Sequence, residues 1–285
     1  MNNIDKILPV TKPYIEMYSY TNKIGTEFLP KQNVVFAALV RDIGSVINKN
    51  VTKIVNFADK YCENYKIVLY ENDSVDNTKA ELDKICLNNN NIHYVSEKFN
   101  RPKFGPVKDK ARTIALAEYR NTLKDFIKNK FDNVDFVIVI DMDFIDFSEN
   151  GLLNSFGWLA QNNYMSGMAG NSFQLKKIFN KPNDIWNYDS WAYRGSWWED
   201  TTKFKNSDHQ NYDSMLWFGL WIPPVGSNPF LVNSAFGGCC IYRSSYYLNG
   251  IYDGKDCEHV TFHYHLYETT NFKLFLNPAQ RMLLS

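Results

Sequence analysis

Apolar residues in the first half of the chain fall into short unbroken runs, separated by stretches with helical spacing. Val34-Val-Phe-Ala-Ala-Leu-Val40 is the first run. Behind Arg41-Asp42-Ile43-Gly44, the residues Val46, Ile47, Val51, Ile54, Val55 and Ala58 recur at three- and four-residue steps, which predicts a helix. Tyr65–Tyr70 reads as a second strand, Lys79–Cys86 as a helix and Ile92–Ser96 as a weak third strand. After a loop with Pro102, Gly105 and Pro106, an amphipathic pattern over 108–130 predicts a long helix. Phe136-Val-Ile-Val-Ile140 then reads as a strand buried on both faces. Strands alternating with helices describe a βαβ series, hence a mainly parallel, doubly wound α/β sheet.

From about residue 164 the periodicity fades and Trp, Tyr, Asn and Gly accumulate, with Trp186, Trp191, Trp197, Trp198, Trp217 and Trp221 close together. This half is expected to add shorter strands and long loops to the same sheet. The whole of 1–285 then forms one domain, with a ligand-binding half (30–163) and a completing half (164–285). Residues 1–30 are polar and broken by Pro9 and Pro13. They hold no apolar run long enough for a signal peptide or a membrane span, so the expected location is the cytoplasm.

Composition narrows the possibilities. The hydrophobic content of 45% and aromatic content of 16% predict a folded globule. With 31 basic and 31 acidic residues the formal charge is zero, which gives no support to a nucleic-acid partner. Five cysteines without framework spacing suggest buried thiols in a reducing compartment, with Cys239-Cys240 packed in a strand.

The chemistry concentrates where the buried strand stops. Asp141 and Asp143 follow Ile140 directly, and two charges there need a counter-ion or a ligand. At the carboxyl end of a strand in an open α/β sheet, ligands bind in the crevice. Alternate side chains point the same way, so both carboxylates can lean towards one cation while Met142 turns away. Mg²⁺ or Mn²⁺ suits such a pair, with waters and nucleotide phosphates completing the shell. The alternative is a pair of turn or N-cap aspartates. Glu71-Asn-Asp-Ser-Val-Asp-Asn-Thr78 is a second acidic loop between strand and helix. Asp76 and Thr78 suit capping there, and Asp73 or Glu71 suits a base or ribose. Arg112 and Arg120 share a helical face, either as solvated charge or reaching a diphosphate or the acidic loop.

In this order, Glu71–Thr78, Arg120-Asn121 and Asp141-Met-Asp143 resemble a GT-A-type glycosyltransferase. Lys110-Ala-Arg-Thr-Ile-Ala-Leu-Ala-Glu-Tyr-Arg-Asn121 is similar to a segment of the fungal capsule-associated α-mannosyltransferase-like family. Looser matches follow at Tyr188–Arg194, Asn233–Gly238 and Asp256–His259. The resemblance implies a Rossmann-related GT-A sheet and transfer from a UDP- or GDP-linked sugar to a glycan or other hydroxyl acceptor. On that pattern Asp141 and Asp143 hold Mn²⁺ or Mg²⁺ against the diphosphate. Asp73, the backbone at Ala37–Val40 and Arg41 lie by the nucleotide, together with Arg112 and Arg120. Gly237 and Gly238 let the backbone approach the sugar. A C-terminal histidine completes the metal shell. His263 and His265, sharing a face if they lie on a strand, are the first choice, and His259 and Glu258 are neighbouring options. If the enzyme inverts, Glu258 is the first choice of base, followed by Asp189 and Asp256. Rivals are a haloacid-dehalogenase-like phosphatase with Asp141 as nucleophile and Asp143 as acid/base, although Phe144-Ile145 departs from its pattern, and a carbohydrate-binding protein on a GT-A scaffold without turnover.

Overall fold

The computed structural model describes residues 3–105, 109–178, 181–196 and 222–284. Its first half builds strands β1 (Asn33–Val40), β2 (Asn64–Asn72), β3 (Ile92–Glu97) and β4 (Phe136–Ile140). Helices α3 (Ile47–Tyr61), α4 (Thr78–Asn88) and α5 (Lys110–Lys130) connect them, after α1 (Ile4–Ile7) and α2 (Ile15–Phe28). These strands and connecting helices agree with the apolar pattern to within one to three residues at each end. The chain continues through β5 (Phe144–Phe147), α6 (Glu149–Gln161), β6 (Gly167–Ile178), β7 (Lys181–Asn187) and β8 (Arg194–Gly195). It ends with β9 (Phe230–Ser234), β10 (Cys239–Arg243), α7 (Ser244–Tyr247), α8 (Glu258–Thr269) and β11 (Leu274–Leu284).

All the described strands join one sheet in the order β3-β2-β1-β4-β10-β6-β11-β9-β8, with β5 on β11 and β7 on β6. The block β3-β2-β1-β4 is parallel throughout. β10 runs antiparallel between β4 and β6, and β6 is again parallel to β11. Helices cover both faces, and the unbroken apolar runs follow from that. Val34, Phe36, Ala38 and Val40 of β1 join Phe136, Ile138 and Ile140 of β4 in a core closed by α3 and α6. Val35, Ala37, Val137 and Val139 face the opposite core, closed by α5 and α8. Each fully buried aliphatic side chain of this kind contributes about 1.5–3 kcal/mol. The thiols of Cys239 and Cys240 sit in β10 as packing groups, and burial raises both above the usual thiol range. No helix among the described residues is long and apolar enough to cross a membrane.

Three features depart from the sequence pattern. Helices α2 and α6, absent from it, meet each other through glycines, while Leu152, Leu153, Phe156 and Leu159 of α6 face the core. A Cβ on Gly157 would stand 2.0 Å from the Thr21 carbonyl oxygen, and one on Gly25 would stand 1.8 Å from that of Leu153. The second half holds the expected short strands, β8 with 2 residues and β9 and β10 with 5 each, and beside them two long ones: β6 has 12 residues and β11 has 11, the latter buried along its whole length. Finally, His263 and His265 lie not on a strand, where they would share a face, but on helix α8, whose buried residues Val260, Phe262, His263 and Leu266 fill one core.

Candidate active site

The chain crosses from one side of β1 to the other between β3 and β4, which makes the carboxyl ends of β1 and β4 a topological switch point. A pocket of about 400 Å³ opens there. Leu39 and Arg41 line it from the end of β1, Asp141, Met142 and Asp143 from the end of β4, and Arg112, Leu116 and Arg120 from α5. The segment Tyr188–Ala192, Phe236, and Cys257, Glu258 and His259 at the start of α8 complete the wall.

Asp141 is half-buried, Asp143 is exposed, and Met142 between them is buried in the core. Burial pushes the Asp141 carboxyl well above the usual range and the Asp143 charge adds to this, whereas Arg120 opposes it. The loop is held by its backbone. The Asp141 N–H donates to the Gly238 carbonyl at 2.8 Å. Asn50 Nδ2, buried on α3, donates to the carbonyls of Met142 and Phe144 at 2.7 and 2.9 Å. Asn50 is a functional residue that the sequence pattern did not single out. The signal was available, because an Asn between Ile47 and Ile54 on an apolar helical face must bond to something.

Arg120 is buried beneath the pocket. Its Nε donates to Glu258 Oε1 at 3.0 Å, and its guanidinium lies 5.4 Å from the centre of the Phe236 ring. Arg112 lies 5.3 Å from the Trp191 ring. Asp189 Oδ2 accepts the Gly237 N–H at 2.7 Å, and burial lifts its carboxyl to about 6 against the pull of that bond. His259 stacks on Phe236 at 3.8 Å between ring centres, with Nε2 3.6 Å from Glu258 Oε1. Neither buried ring nitrogen of His259 has a hydrogen-bond partner. Burial first, and Arg120 second, push its pKa well below the ordinary value, so the imidazole is neutral.

Of the residues singled out from the sequence, Arg41, Arg112, Arg120, Asp141, Asp143, Asp189, Glu258 and His259 therefore meet in one pocket. Others lie elsewhere. The Ala37 side chain is wholly inside the sheet core. Asp73 lines a neighbouring groove of about 770 Å³ that shares Arg41 with the pocket. Its carboxylate accepts the backbone N–H groups of Phe99, Asn100 and Arg101 at 2.8, 2.8 and 3.2 Å. Glu71, fully buried, accepts from Ser74 N and Ser96 Oγ, and Asp76 binds the N–H groups of Gly44 and Thr78. Asp256 pairs with buried Arg194 at 3.2 Å.

Gly237 and Gly238 make a left-handed turn, with φ of +62° and +67°. A Cβ on Gly237 would fall 2.1 Å from the Gly170 oxygen, and one on Gly238 would fall 2.6 Å from Met282 Sδ. The glycines thus fit against β6 and β11, and their backbone bonds Asp189 and Asp141. His263 and His265 do not line the pocket. Both ring nitrogens of His263 are engaged in the core, Nδ1 with Ser234 Oγ at 2.9 Å and Nε2 with the Tyr242 hydroxyl at 2.8 Å. On a helix His265 points away from His263, because two residues turn the side chain by more than half a circle. Trp197, Trp198, Trp217 and Trp221 lie outside the described residues.

The donor set bears on a cation. Among the described residues no group of three or more His, Cys, Asp or Glu stands ready-made around a metal. Asp141 and Asp143 supply two carboxylates, and His259 supplies buried nitrogens without a partner on the same pocket wall. That fits Mg²⁺ or Mn²⁺, which keep waters and ligand phosphates in the shell.

Two measurements check these assignments. Asn50→Ala leaves two carbonyls of the Asp141–Phe144 loop unpaired and is expected to cost about 1–3 kcal/mol in urea unfolding. An unchanged midpoint contradicts the role given to Asn50. Burial holds His263 down to about 3 from an ordinary 6.5. A depressed folded pKa means that its contribution is complete above the unfolded value and is lost as pH falls towards the folded one. Asp189, raised from 3.8 to about 6, works in the opposite direction over part of that window. The His263 ring is therefore read directly by NMR and is expected to stay neutral in the folded protein down to about pH 4. A titration midpoint near 6.5 overturns its place in the core.

By sequence the chain matches no family model and no curated protein. Solved structures do resemble it. The mannosyltransferase PcManGT from Pyrobaculum calidifontis, in complex with GDP-Man and Mn²⁺, superposes with a TM-score of 0.51 at 10% identity over 94% of this chain. GalNAc-T7 with UDP, GalNAc and Mn²⁺ gives 0.55 at 14% over 89%, and S. aureus TarS 1-349 with UDP gives 0.50 at 11% over 89%. The chain spans 63%, 44% and 61% of the length of these three proteins. At these identities the likeness is one of fold, and the fold is the mixed α/β architecture of the GT-A glycosyltransferases.

Proposed function

We propose that this protein is a metal-dependent glycosyltransferase, moving a sugar from a UDP- or GDP-linked donor to a hydroxyl of a glycan or other acceptor. The observation that carries this is the meeting of Asp141 and Asp143 with Arg41, Arg112 and Arg120 in one pocket at the switch point. Similar structures carrying GDP-Man, or UDP with Mn²⁺, favour this over a phosphatase. Exposed Asp143 and half-buried Asp141 would hold Mn²⁺ or Mg²⁺, with His259 rather than His263 or His265 as the third protein ligand. A cation bound there supplies Lewis-acid stabilisation of the charge on the departing diphosphate.

The chain's own groups divide the remaining work. Arg41 stands between the pocket and the groove beside Asp73, which is where a nucleoside next to a diphosphate would span the two. Arg112 can donate two parallel hydrogen bonds to a phosphate. Of the three candidate bases, Asp189 suits the role better than Glu258 or Asp256, the last being paired with buried Arg194 at 3.2 Å. The Glu258 carboxylate is paired with buried Arg120, whereas Asp189 has a carboxyl raised to about 6, near the range useful for taking a proton at neutral pH. Asp189 would then take the proton of the attacking acceptor hydroxyl. Tyr188 and Trp191 line the same pocket, and their rings would offer an acceptor sugar a surface for stacking.

A thermal-shift panel of UDP, GDP and CMP, with Mn²⁺ or EDTA, tests the proposal on wild type and Asp143→Asn. A ligand at about a hundred times its Kd adds roughly 2.7 kcal/mol of apparent stability, several degrees for a chain of this size. The expected outcome is a Mn²⁺-dependent shift for one diphosphate, lost in Asp143→Asn. No shift with any nucleotide contradicts the proposal. A shift without sugar transfer points to the binding protein without turnover.

A further inference from the structure

Arg194 and Asp256 form an ion pair inside the protein, Nη2 to Oδ2 at 3.2 Å, with side chains 1% and 0% exposed. Neither residue lines the pocket, but each is bonded to chain that does. Asp256 Oδ1 accepts the Cys257 N–H at 2.6 Å, at the point where α8 begins and brings Glu258 and His259 to the pocket wall. Arg194 Nη1 donates to the carbonyls of Trp191 and Tyr193 at 2.8 and 2.9 Å. The Trp191 carbonyl belongs to the same peptide unit as the Ala192 N–H, and that N–H bonds the Asp189 carboxyl. A cation, a peptide dipole and an acid therefore follow one another in series. Removal from water makes such an ion pair a poor source of stability, and apolar residues of similar volume often hold a fold as well. What a guanidinium adds is direction, because its planar fork fixes several acceptors at once.

We propose that Arg194 is a positioning residue for Asp189, acting through the Trp191–Ala192 peptide, and that Asp256 holds the guanidinium in place for this. A peptide unit is planar, so fixing the Trp191 carbonyl also fixes the direction of the Ala192 N–H. With the Gly237 N–H at 2.7 Å, this gives the Asp189 carboxyl two directed donors from two different segments. Hydrogen bonds to an ionised acceptor are roughly twice as strong as neutral ones, so the pair of them holds the side chain against rotation. The Arg194–Asp256 pair also ties the Tyr188–Ala192 wall to the start of α8. The wall carrying Asp189 and the wall carrying His259 are thereby set relative to each other. The catalytic consequence rests on the proposed role of Asp189 as base; the path from Arg194 to its carboxyl does not.

Hydrogen exchange of the Ala192 amide, followed by NMR, tests the path without any substrate. Exchange is expected to become about tenfold faster in Arg194→Lys, which keeps the positive charge beside Asp256 but not the fork. Asp189→Ala, which removes the acceptor, is expected to do the same. Arg194→Met/Asp256→Leu replaces the whole pair without leaving a buried charge, so it is expected to fold and to show the faster exchange even where the lysine variant does not fold. An Ala192 amide that exchanges as in wild type in Asp189→Ala, or in a folded Arg194 variant, overturns the proposal. The positioning role is then read from hydrolysis of UDP-glucose and GDP-mannose and from the Kd of UDP and GDP. Arg194→Lys is expected to lower kcat by roughly tenfold to a hundredfold, the scale of lost supporting hydrogen bonds and small misplacements around a reacting group, with Kd unchanged. An unchanged kcat, or kcat and nucleotide affinity falling together, overturns the positioning role. Failure of the nucleotide proposal shows separately, as absence of any nucleotide-dependent stabilisation, and the amide exchange still decides whether Arg194 holds Asp189.

Discussion

Arg120 is the charge around which the pocket is organised. Removing a guanidinium from water costs several kcal/mol unless partners replace its hydration. Here Glu258 meets Nε at 3.0 Å, Phe236 and Tyr252 lie against the guanidinium, and Asp141 and Glu258 supply opposite charge. The pair joins α5 to the first turn of α8 and so fixes where His259 stands. Arg120 also acts on Asp141 and Asp189, but it is already paired with Glu258, and among the described residues Arg41 and Arg112 are the other cations on the pocket walls beside the carboxylates of Asp141, Asp143 and Asp189. On the proposed function a diphosphate entering such a pocket would bring further negative charge, and a divalent cation at Asp143 would restore the balance.

The backbone does as much positioning as the side chains. The Gly237-Gly238 turn supplies an N–H to Asp189 and a carbonyl to Asp141, so one turn between β9 and β10 holds both aspartates. Asn50 holds the far side of the Asp141–Asp143 loop from α3. The acidic residues are thus presented by a frame fixed on two sides. They do not hang from a free loop, which is what reproducible contact with a small ligand requires.

How much of this was legible in the sequence differs by element. The first half was, because strands buried on both faces leave unbroken apolar runs and the connecting helices leave three- and four-residue spacing. The carboxylates at the end of β4 were legible for the same reason: charge following such a run has to be answered by something. Helix α2 escaped because Gly25 and Gly157 bring its backbone against α6 where an apolar stripe would otherwise mark the contact, whereas α6 does carry such a stripe at Leu152, Leu153, Phe156 and Leu159. The histidines of α8 escaped because Thr261-Phe-His-Tyr-His265 imitates strand alternation, while the stripe through His259, His263 and Leu266 keeps helical spacing and lies on the buried face. Asp73 stood out as an acid at a strand end, but nothing in the chain's order reveals that residues 99–101 return to it with three N–H groups. Asp189 over Glu258 could not be chosen at all from sequence, since the choice depends on which acid Arg120 reaches.

On the proposed function, the pocket takes a divalent cation and a nucleoside diphosphate together, through Asp143. Mn²⁺ titration followed by electron paramagnetic resonance, with and without UDP or GDP, tests it most directly. The account predicts that the free-ion signal is depleted by wild-type protein in the presence of one of the two nucleotides, beyond the depletion by that nucleotide alone, and not by Asp143→Asn. Mn²⁺ uptake indifferent to both nucleotides, or equal in Asp143→Asn, would contradict it.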